Sequence, residues 1–481
     1  MDILFVASEC SPFIKTGGLA DVVGTLPAAL KQKDLSVSVV IPKYEDIPCS
    51  FTENTEKLIR YKVPVGWREQ FCGVERLEYE GIDYYFIDNE YYFGRNGIYG
   101  FFDEAERFVF FNRAVLEMLF HLDYKPDILH CHDWQASLIS LFLNSHYADD
   151  PFYDNIKTVF TIHNLEYQGV FPEDVLYNLL DLGGKYYHPE ELEYYGDINF
   201  LKGALIYSDV ITTVSKTYAQ EIQSDYVGQG LAGLLRKKSD DLYGIVNGID
   251  NDFYDPAQDD HIFQKYERSL SGLDDKKENK IQLQKMFGLP VSKDVPLIVI
   301  ISRLVEHKGF DLVLRMLEEL TELDIQMAVL GTGDEKYVQA FKEASWKNPD
   351  KVSAHITFNE DLARKMYAAG DLFLMPSLLE PCGIGQLIAL RYLTVPVVRA
   401  TGGLKDTITD FYENPEQGNG FSFTNFNAHE MFDKIKEGLE CFHSPEAWEQ
   451  IIKNIRRTDF SWEHSAEEYK DLYSVILEDK K

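Results

Sequence analysis

Short apolar runs rich in β-branched residues recur along the chain, each closed by a turn signal and followed by a helical pattern. In the first half they fall at residues 3–7, 37–41, 128–130, 158–162, 210–214 and 243–246. In the second half they fall at 297–302, 326–330, 372–375 and 395–398. Continuous apolar strands alternating with helices predict parallel sheets covered on both faces. The expected fold class is therefore α/β, with two doubly wound, Rossmann-like domains. Between them, residues 250–294 are poor in long apolar runs, and Asp274-Asp275-Lys276-Lys277-Glu278 is the most polar part. The pattern places a first domain at 1–250 and a second at 251–460, with a helix over 278–287 already in the second. From Ser461 onward Trp462, Ala466, Tyr469, Leu472, Tyr473, Ile476 and Leu477 show helical spacing. Segment 461–481 is either the last helix of the second domain or a strap returning to the first.

Bulk properties narrow the function. A chain of 481 residues exceeds what one core usually serves. No stretch reaches the roughly 20 apolar residues of a membrane span, and Met1-Asp2-Ile3-Leu4-Phe5-Val6-Ala7 lacks the basic region of a signal sequence and reads as a buried strand. The net charge of −32 argues against nucleic acid and against anionic membranes. In so acidic a chain, clustered cations point to a local task. Cys10, Cys49, Cys72, Cys131, Cys382 and Cys441 are scattered without a CxxC pair, as in a cytoplasmic protein with reduced thiols.

Ligands of open parallel sheets bind beyond the carboxyl ends of the strands, so the segments after the strands are read first. After the first strand, Lys15-Thr16-Gly17-Gly18 opens a helix from about Leu19. It suits either a packing turn or an anion site in which Lys15 adds a charge. After strand 297–302 come Arg303 and Lys308, either solvated loop cations or a clamp on a diphosphate. After strand 372–375, Glu380-Pro381-Cys382-Gly383-Ile384-Gly385 leads into an apolar helix. An acid beside such a turn fits sugar hydroxyls better than phosphate. His130-Cys131-His132-Asp133-Trp134 invites a zinc reading, but residues alternate between the faces of a strand and no second ligand cluster stands out. Asp133, Trp134, His163 and Asn164 read instead as a polar and aromatic wall for a sugar. Asp250-Asn251-Asp252 lies in the expected connection, a poor place for a metal-diphosphate site, so neither metal nor cofactor is expected. Thr401-Gly402-Gly403-Leu404-Lys405-Asp406 echoes Thr16-Gly17-Gly18-Leu19-Ala20-Asp21; the echo is either a pair of related ligand turns or a coincidence.

Several motifs in this order, Lys15-Thr16-Gly17-Gly18-Leu19-Ala20-Asp21-Val22, His132-Asp133-Trp134, Thr161-Ile162-His163-Asn164 with Tyr167-Gln168-Gly169, and Thr213-Val214-Ser215, are followed by Asn247-Gly248-Ile249-Asp250, Ser302-Arg303-Leu304 with Lys308-Gly309, and Glu380-Pro381-Cys382-Gly383. Together they resemble bacterial glycogen synthases and plant starch synthases over nearly the whole chain. The resemblance implies a GT-B fold with an interdomain cleft, and a final helix crossing back to the first domain. It implies transfer of glucose from ADP-glucose to the non-reducing end of an α-1,4-glucan, glycogen or a malto-oligosaccharide, with retained configuration. By the same resemblance Lys15, Arg303 and Lys308 hold the diphosphate with the turn at Gly383, Ile384 and Gly385, while Glu380 holds the donor glucose. Gly17, Gly18, Asp21, Phe358 and Cys382 complete the nucleotide-sugar set. His163 lines the reaction centre, and Glu9, Tyr99, Asp133, Trp134 and Asn164 contact sugar on the acceptor side. Ile384-Gly385 departs from commoner Leu-Thr or Leu-Ile forms, and Phe358 stands where Tyr is expected to stack on the base. Rival readings are less favoured: a transferase with another acceptor is disfavoured by the KTGGLADV and EPCG pair, a non-catalytic paralogue by the presence of every charged site residue. A dinucleotide oxidoreductase lacks the GxGxxG turn.

Overall fold

The structure, a computed structural model, describes residues 1–478; positions 479–481, the end of the expected segment 461–481, lie outside the described residues. The chain forms two compact units. Of the described residues, the first comprises Met1–Val214, Ala219–Ile245 and Trp462–Glu478; the second comprises Val246–Ser461 and the short piece Ser215–Tyr218.

In the first unit the strands are β1 (Asp2–Val6), β2 (Ser36–Pro42), β3 (Glu56–Val65), β4 (Arg68–Tyr79), β5 (Ile82–Asp88), β6 (Ile128–His132) and β7 (Lys157–Ile162). A small separate sheet holds β8 (Val170–Pro172), β9 (Glu193–Tyr194) and β10 (Asp197–Asn199), and β11 (Val210–Thr213) and β12 (Leu242–Gly244) return to the main one. The main order is β12-β11-β7-β6-β1-β2-β5-β4-β3. Ile3, Leu4, Phe5 and Val6 are fully buried, as a central parallel strand covered on both faces requires. The sheet is not parallel throughout, however: β4 pairs antiparallel with both β3 and β5. These strands alternate polar and apolar residues and leave one face open to solvent, so they lack the continuous apolar runs that reveal buried strands.

The second unit carries β13 (Leu297–Ile301), β14 (Gln326–Leu330), β15 (Val352–His355), β16 (Leu372–Met375), β17 (Val395–Arg399) and β18 (Phe421–Phe423). Its order is β15-β14-β13-β16-β17-β18, with every pairing parallel. The first strand of each unit lies between its second strand and a later one, the doubly wound arrangement that leaves a switch point at the carboxyl ends. The expected α/β class is what the chain adopts. Helix Leu273–Phe287 belongs to this unit and ends at Gly288, whose φ of 70° closes it in the left-handed region.

Helix Trp462–Glu478 packs on helix Gly18–Lys31 of the first unit. It buries Trp462, Ala466, Tyr469, Leu472, Tyr473 and Ile476, and Glu467 meets Lys33 at 2.9 Å. The echoed turns are not equivalent: one follows β1, whereas Thr401 to Asp406 follows β17.

Candidate functional site

In the first unit the loop after β1 is shaped by Glu9. Its carboxylate accepts the backbone N–H of Thr16 at 2.5 Å and the Thr16 hydroxyl at 3.0 Å. The Tyr99 hydroxyl lies 3.3 Å away and also meets Ser8 Oγ at 2.7 Å. Burial raises the Glu9 carboxyl above its ordinary range, against the pull of the Thr16 bonds. Glu9 and Tyr99, read from sequence as sugar contacts, therefore hold the loop that presents Lys15. Lys15 Nζ meets Asp21 at 2.8 Å, each side chain about one-third exposed. Gly17 caps helix Gly18–Lys31 with no side-chain bond, and a Cβ there would meet nothing within 4 Å. The space above the helix start is open, as an anion site would need.

The ends of β6 and β7 bring the second group together. Asp133, with φ 56°, occupies the left-handed region and accepts the backbone N–H of His163 at 2.8 Å. Asn164 Oδ1 accepts the N–H of Glu166, closing the turn after β7. Trp134 is 8% exposed and packs on Phe108, Phe171 and Phe200; its ring faces chiefly protein. His163 Nε2 lies 3.0 Å from His132 Nδ1. Burial pushes the His163 imidazole down to about 3 and holds His130 and His132 well below the ordinary value. All three are neutral at physiological pH.

Burial pushes the Asp133 carboxyl up to about 7, against the N–H groups of His163 and Asn164 and with help from the charge of Glu9. A raised carboxyl favours the fold while protonated, and that contribution is lost as pH rises from about 4 to about 7. Asp133→Asn keeps an acceptor but cannot ionise. Its stability advantage over the parent should grow across that window and level off above it, as read by urea unfolding at several pH values. An advantage independent of pH would show that Asp133 does not carry this burden.

In the second unit three loops meet at the carboxyl end of the sheet. Gly309, with φ 78°, follows the single turn Glu306–Lys308, and a Cβ there would lie 2.0 Å from the carbonyl oxygen of Pro376. Only glycine permits that approach. It carries Lys308 to the segment after β16, where Leu378 N–H donates to His307 O at 2.8 Å. Lys308 Nζ donates to Glu380 Oε2 at 2.6 Å, and Ser377 Oγ donates to the same oxygen at 3.0 Å. Glu380 is 6% exposed. Gly402, with φ 45°, would place a Cβ 2.0 Å from Glu380 O; the echoed glycines thus serve as packing against the Glu380 turn. Gln386 Nε2 donates to Cys382 O and Gly383 O, holding the turn at Gly383, Ile384 and Gly385. Cys382 is buried, and its thiol is pushed up to about 12 by burial, which makes it an inert part of the wall. Arg303 is exposed and pairs with no carboxylate among the described residues. Phe358, 80% exposed after β15, offers an open aromatic face.

Several contributors were missed by sequence reasoning. Ser377 and Arg399, whose Nε donates to Ser377 O at 2.8 Å, carry no motif of their own. Ser215, quoted in the Thr213-Val214-Ser215 motif without a role, donates from Oγ to Pro381 O, and Thr217, two residues on, bonds Asp406 through its N–H and hydroxyl. No group of three or more His, Cys, Asp and Glu side chains suited to a metal ion occurs among the described residues, and none of their helices is long and apolar enough to cross a membrane.

Residues 2–237 match the starch synthase catalytic domain family and residues 282–458 match glycosyl transferases group 1. A glycogen synthase of Bacillus cereus (strain Q1) is 50% identical over 478 residues, 99% of this chain and 100% of the relative. One from Desulforamulus reducens is 51% identical over 477 residues, 99% of each. Among solved structures, the catalytic domain of starch synthase IV from Arabidopsis thaliana bound to ADP and acarbose superposes with a TM-score of 0.91. It is 33% identical and covers 99% of each chain.

Proposed function

Since the chain belongs to the glycogen synthase family of glycosyltransferases and elongates glucan in glycogen synthesis, we propose that its donor is ADP-glucose and its acceptor the non-reducing end of glycogen or a malto-oligosaccharide. The ADP in the Arabidopsis starch synthase structure supports the choice of base.

The observation that carries the reading is the pair of the partly buried Lys308 with the buried Glu380 at the end of the second sheet. One carboxylate, oriented by Ser377 and Lys308, has the chemistry to take donor sugar hydroxyls. Lys15, Arg303 and Lys308 neutralise the diphosphate as negative charge grows on it, with the backbone of the turn at Gly383, Ile384 and Gly385, and no metal is needed. Gly17, Gly18 and Asp21 shape the loop that presents Lys15, and Phe358 stacks on the base. His163 lines the reaction centre, with Glu9, Tyr99, Asp133, Trp134 and Asn164 on the acceptor side.

Donor and product linkages are both α, so configuration is retained. A covalent route needs a carboxylate nucleophile on the open face of the sugar, and Glu380 is already engaged by Lys308 and Ser377. Attack of the acceptor 4-hydroxyl on the leaving-group face, assisted by phosphate, is the reading we favour.

The deciding measurement is nucleoside diphosphate release from ADP-glucose and from UDP-glucose, each with and without glycogen. Release should be faster from ADP-glucose and should depend on glycogen. Preference for UDP-glucose would overturn the donor assignment; release indifferent to glycogen would overturn the acceptor.

A further inference from the structure

Three histidines line up at the end of β6 and β7, and their protons are constrained. His130 and His132, two apart on β6, face the same side of the sheet and stack at 4.2 Å between ring centroids. His130 is fully engaged: Nδ1 meets the Tyr473 hydroxyl at 2.7 Å and Nε2 meets Thr161 Oγ1 at 2.6 Å. Thr161 Oγ1 in turn meets Thr212 Oγ1 at 2.5 Å. His132 has one partner for its ring, His163 Nε2, through Nδ1. Its own Nε2 is buried and has no hydrogen-bond partner among the described residues.

Both rings of the His132–His163 pair are neutral, so a single proton lies between Nδ1 and Nε2. If His163 donated from Nε2, His132 would have to carry its proton on Nε2, a buried N–H with nothing to receive it. If His132 donates from Nδ1, Nε2 holds only a lone pair. An orphaned buried N–H is the rarer and costlier of these two states. The second arrangement therefore wins, and it leaves the proton of His163 on Nδ1, which has no protein partner among the described residues.

We propose that His132 is a positioning residue: it donates Nδ1–H to His163 Nε2, fixing His163 as the Nδ1–H tautomer that offers a neutral donor to a sugar oxygen. The proposal rests on the reading of His163 at the reaction centre. It excludes one role for His163, since an imidazole with Nε2 occupied and Nδ1 protonated does not take the acceptor's proton. The stack beneath supports the pair: Tyr473 and Thr161 hold His130, and the His130 ring holds the plane of His132.

The test has a spectroscopic and a kinetic arm, both on the full chain. In 15N spectra of histidine-labelled protein, the His163 signals are those lost in His163→Asn. Nδ1 should be pyrrole-like and Nε2 pyridine-like; the reverse overturns the proposal. In assays with ADP-glucose and glycogen, His132→Leu should lower kcat by about 10–100-fold, the range for losing a partner that orients a functional histidine. KM for both substrates should stay unchanged. His132→Asn, whose amide N–H replaces Nδ1–H, should keep most of kcat. Wild-type kcat in a folded Leu variant, or an equal loss in both variants, overturns the proposal. If the Leu variant does not fold, the spectrum and the Asn variant still decide. Wild-type kcat in His163→Asn would instead refute the placement of His163 at the reaction centre, and with it the kinetic half of the proposal; the tautomer would be judged by the spectrum alone.

Discussion

Replacing Lys15 by alanine should lower kcat by about 10²–10³-fold, the usual cost of removing one well-placed charge donor, with almost no loss of stability. The contrast follows from its surroundings. The Lys15–Asp21 pair is about one-third exposed on both sides, and pairs in that setting contribute about 0–1 kcal/mol to folding. The loop is held by Glu9 through Thr16. The Lys15 side chain, about one-third exposed, is open to a ligand from solvent. Turnover near the parental value in a folded Lys15→Ala protein would remove Lys15 from the diphosphate.

Lys308→Met should differ by damaging both properties. Turnover should fall by a similar 10²–10³-fold, and stability by about 3–5 kcal/mol, the range for breaking a buried pair from one side. Glu380 is 6% exposed, and without Lys308 its charge keeps, among the described residues, only the Ser377 hydroxyl. Combining Lys308→Met with Glu380→Gln removes the stranded charge. The double variant should regain most of the stability and none of the activity, a coupling that unfolding curves and a kcat measurement read directly. If the single variant unfolds like the parent, the pair is not the buried element described. If the double variant regains turnover, neither residue serves the reaction.

Nine of the ten strands legible in the sequence are buried along most of their length, because continuous apolar runs stand out without a partner; the tenth, β12, is a partly exposed edge strand. β3 and β4 were invisible for the opposite reason: Glu56–Val65 alternates charged and apolar residues over a half-exposed surface, and its antiparallel hairpin depends on pairing, not on composition. Within the site, Lys308 and Glu380 were legible as charges after strands, but their 2.6 Å contact depends on Gly309 letting two distant loops touch. Glu9 was legible as a residue and not as an anchor, since nothing in Ser8-Glu9-Cys10 announces that Thr16 folds back onto it. The likeness between Thr16 to Asp21 and Thr401 to Asp406 was real as text and misleading as topology, as the two follow strands at different positions in their sheets.

The helix Trp462–Glu478 lies beyond the whole second unit in the chain yet completes the first. A ribosome making this protein therefore releases most of the first sheet long before the segment that covers it exists. Until then the flank of helix Gly18–Lys31 and the ring of His130 stand uncovered, and the histidine pair above lacks its Tyr473 support. The first unit is therefore the last to be finished, so a chain cut short after the second unit keeps that unit whole and leaves the first unsealed.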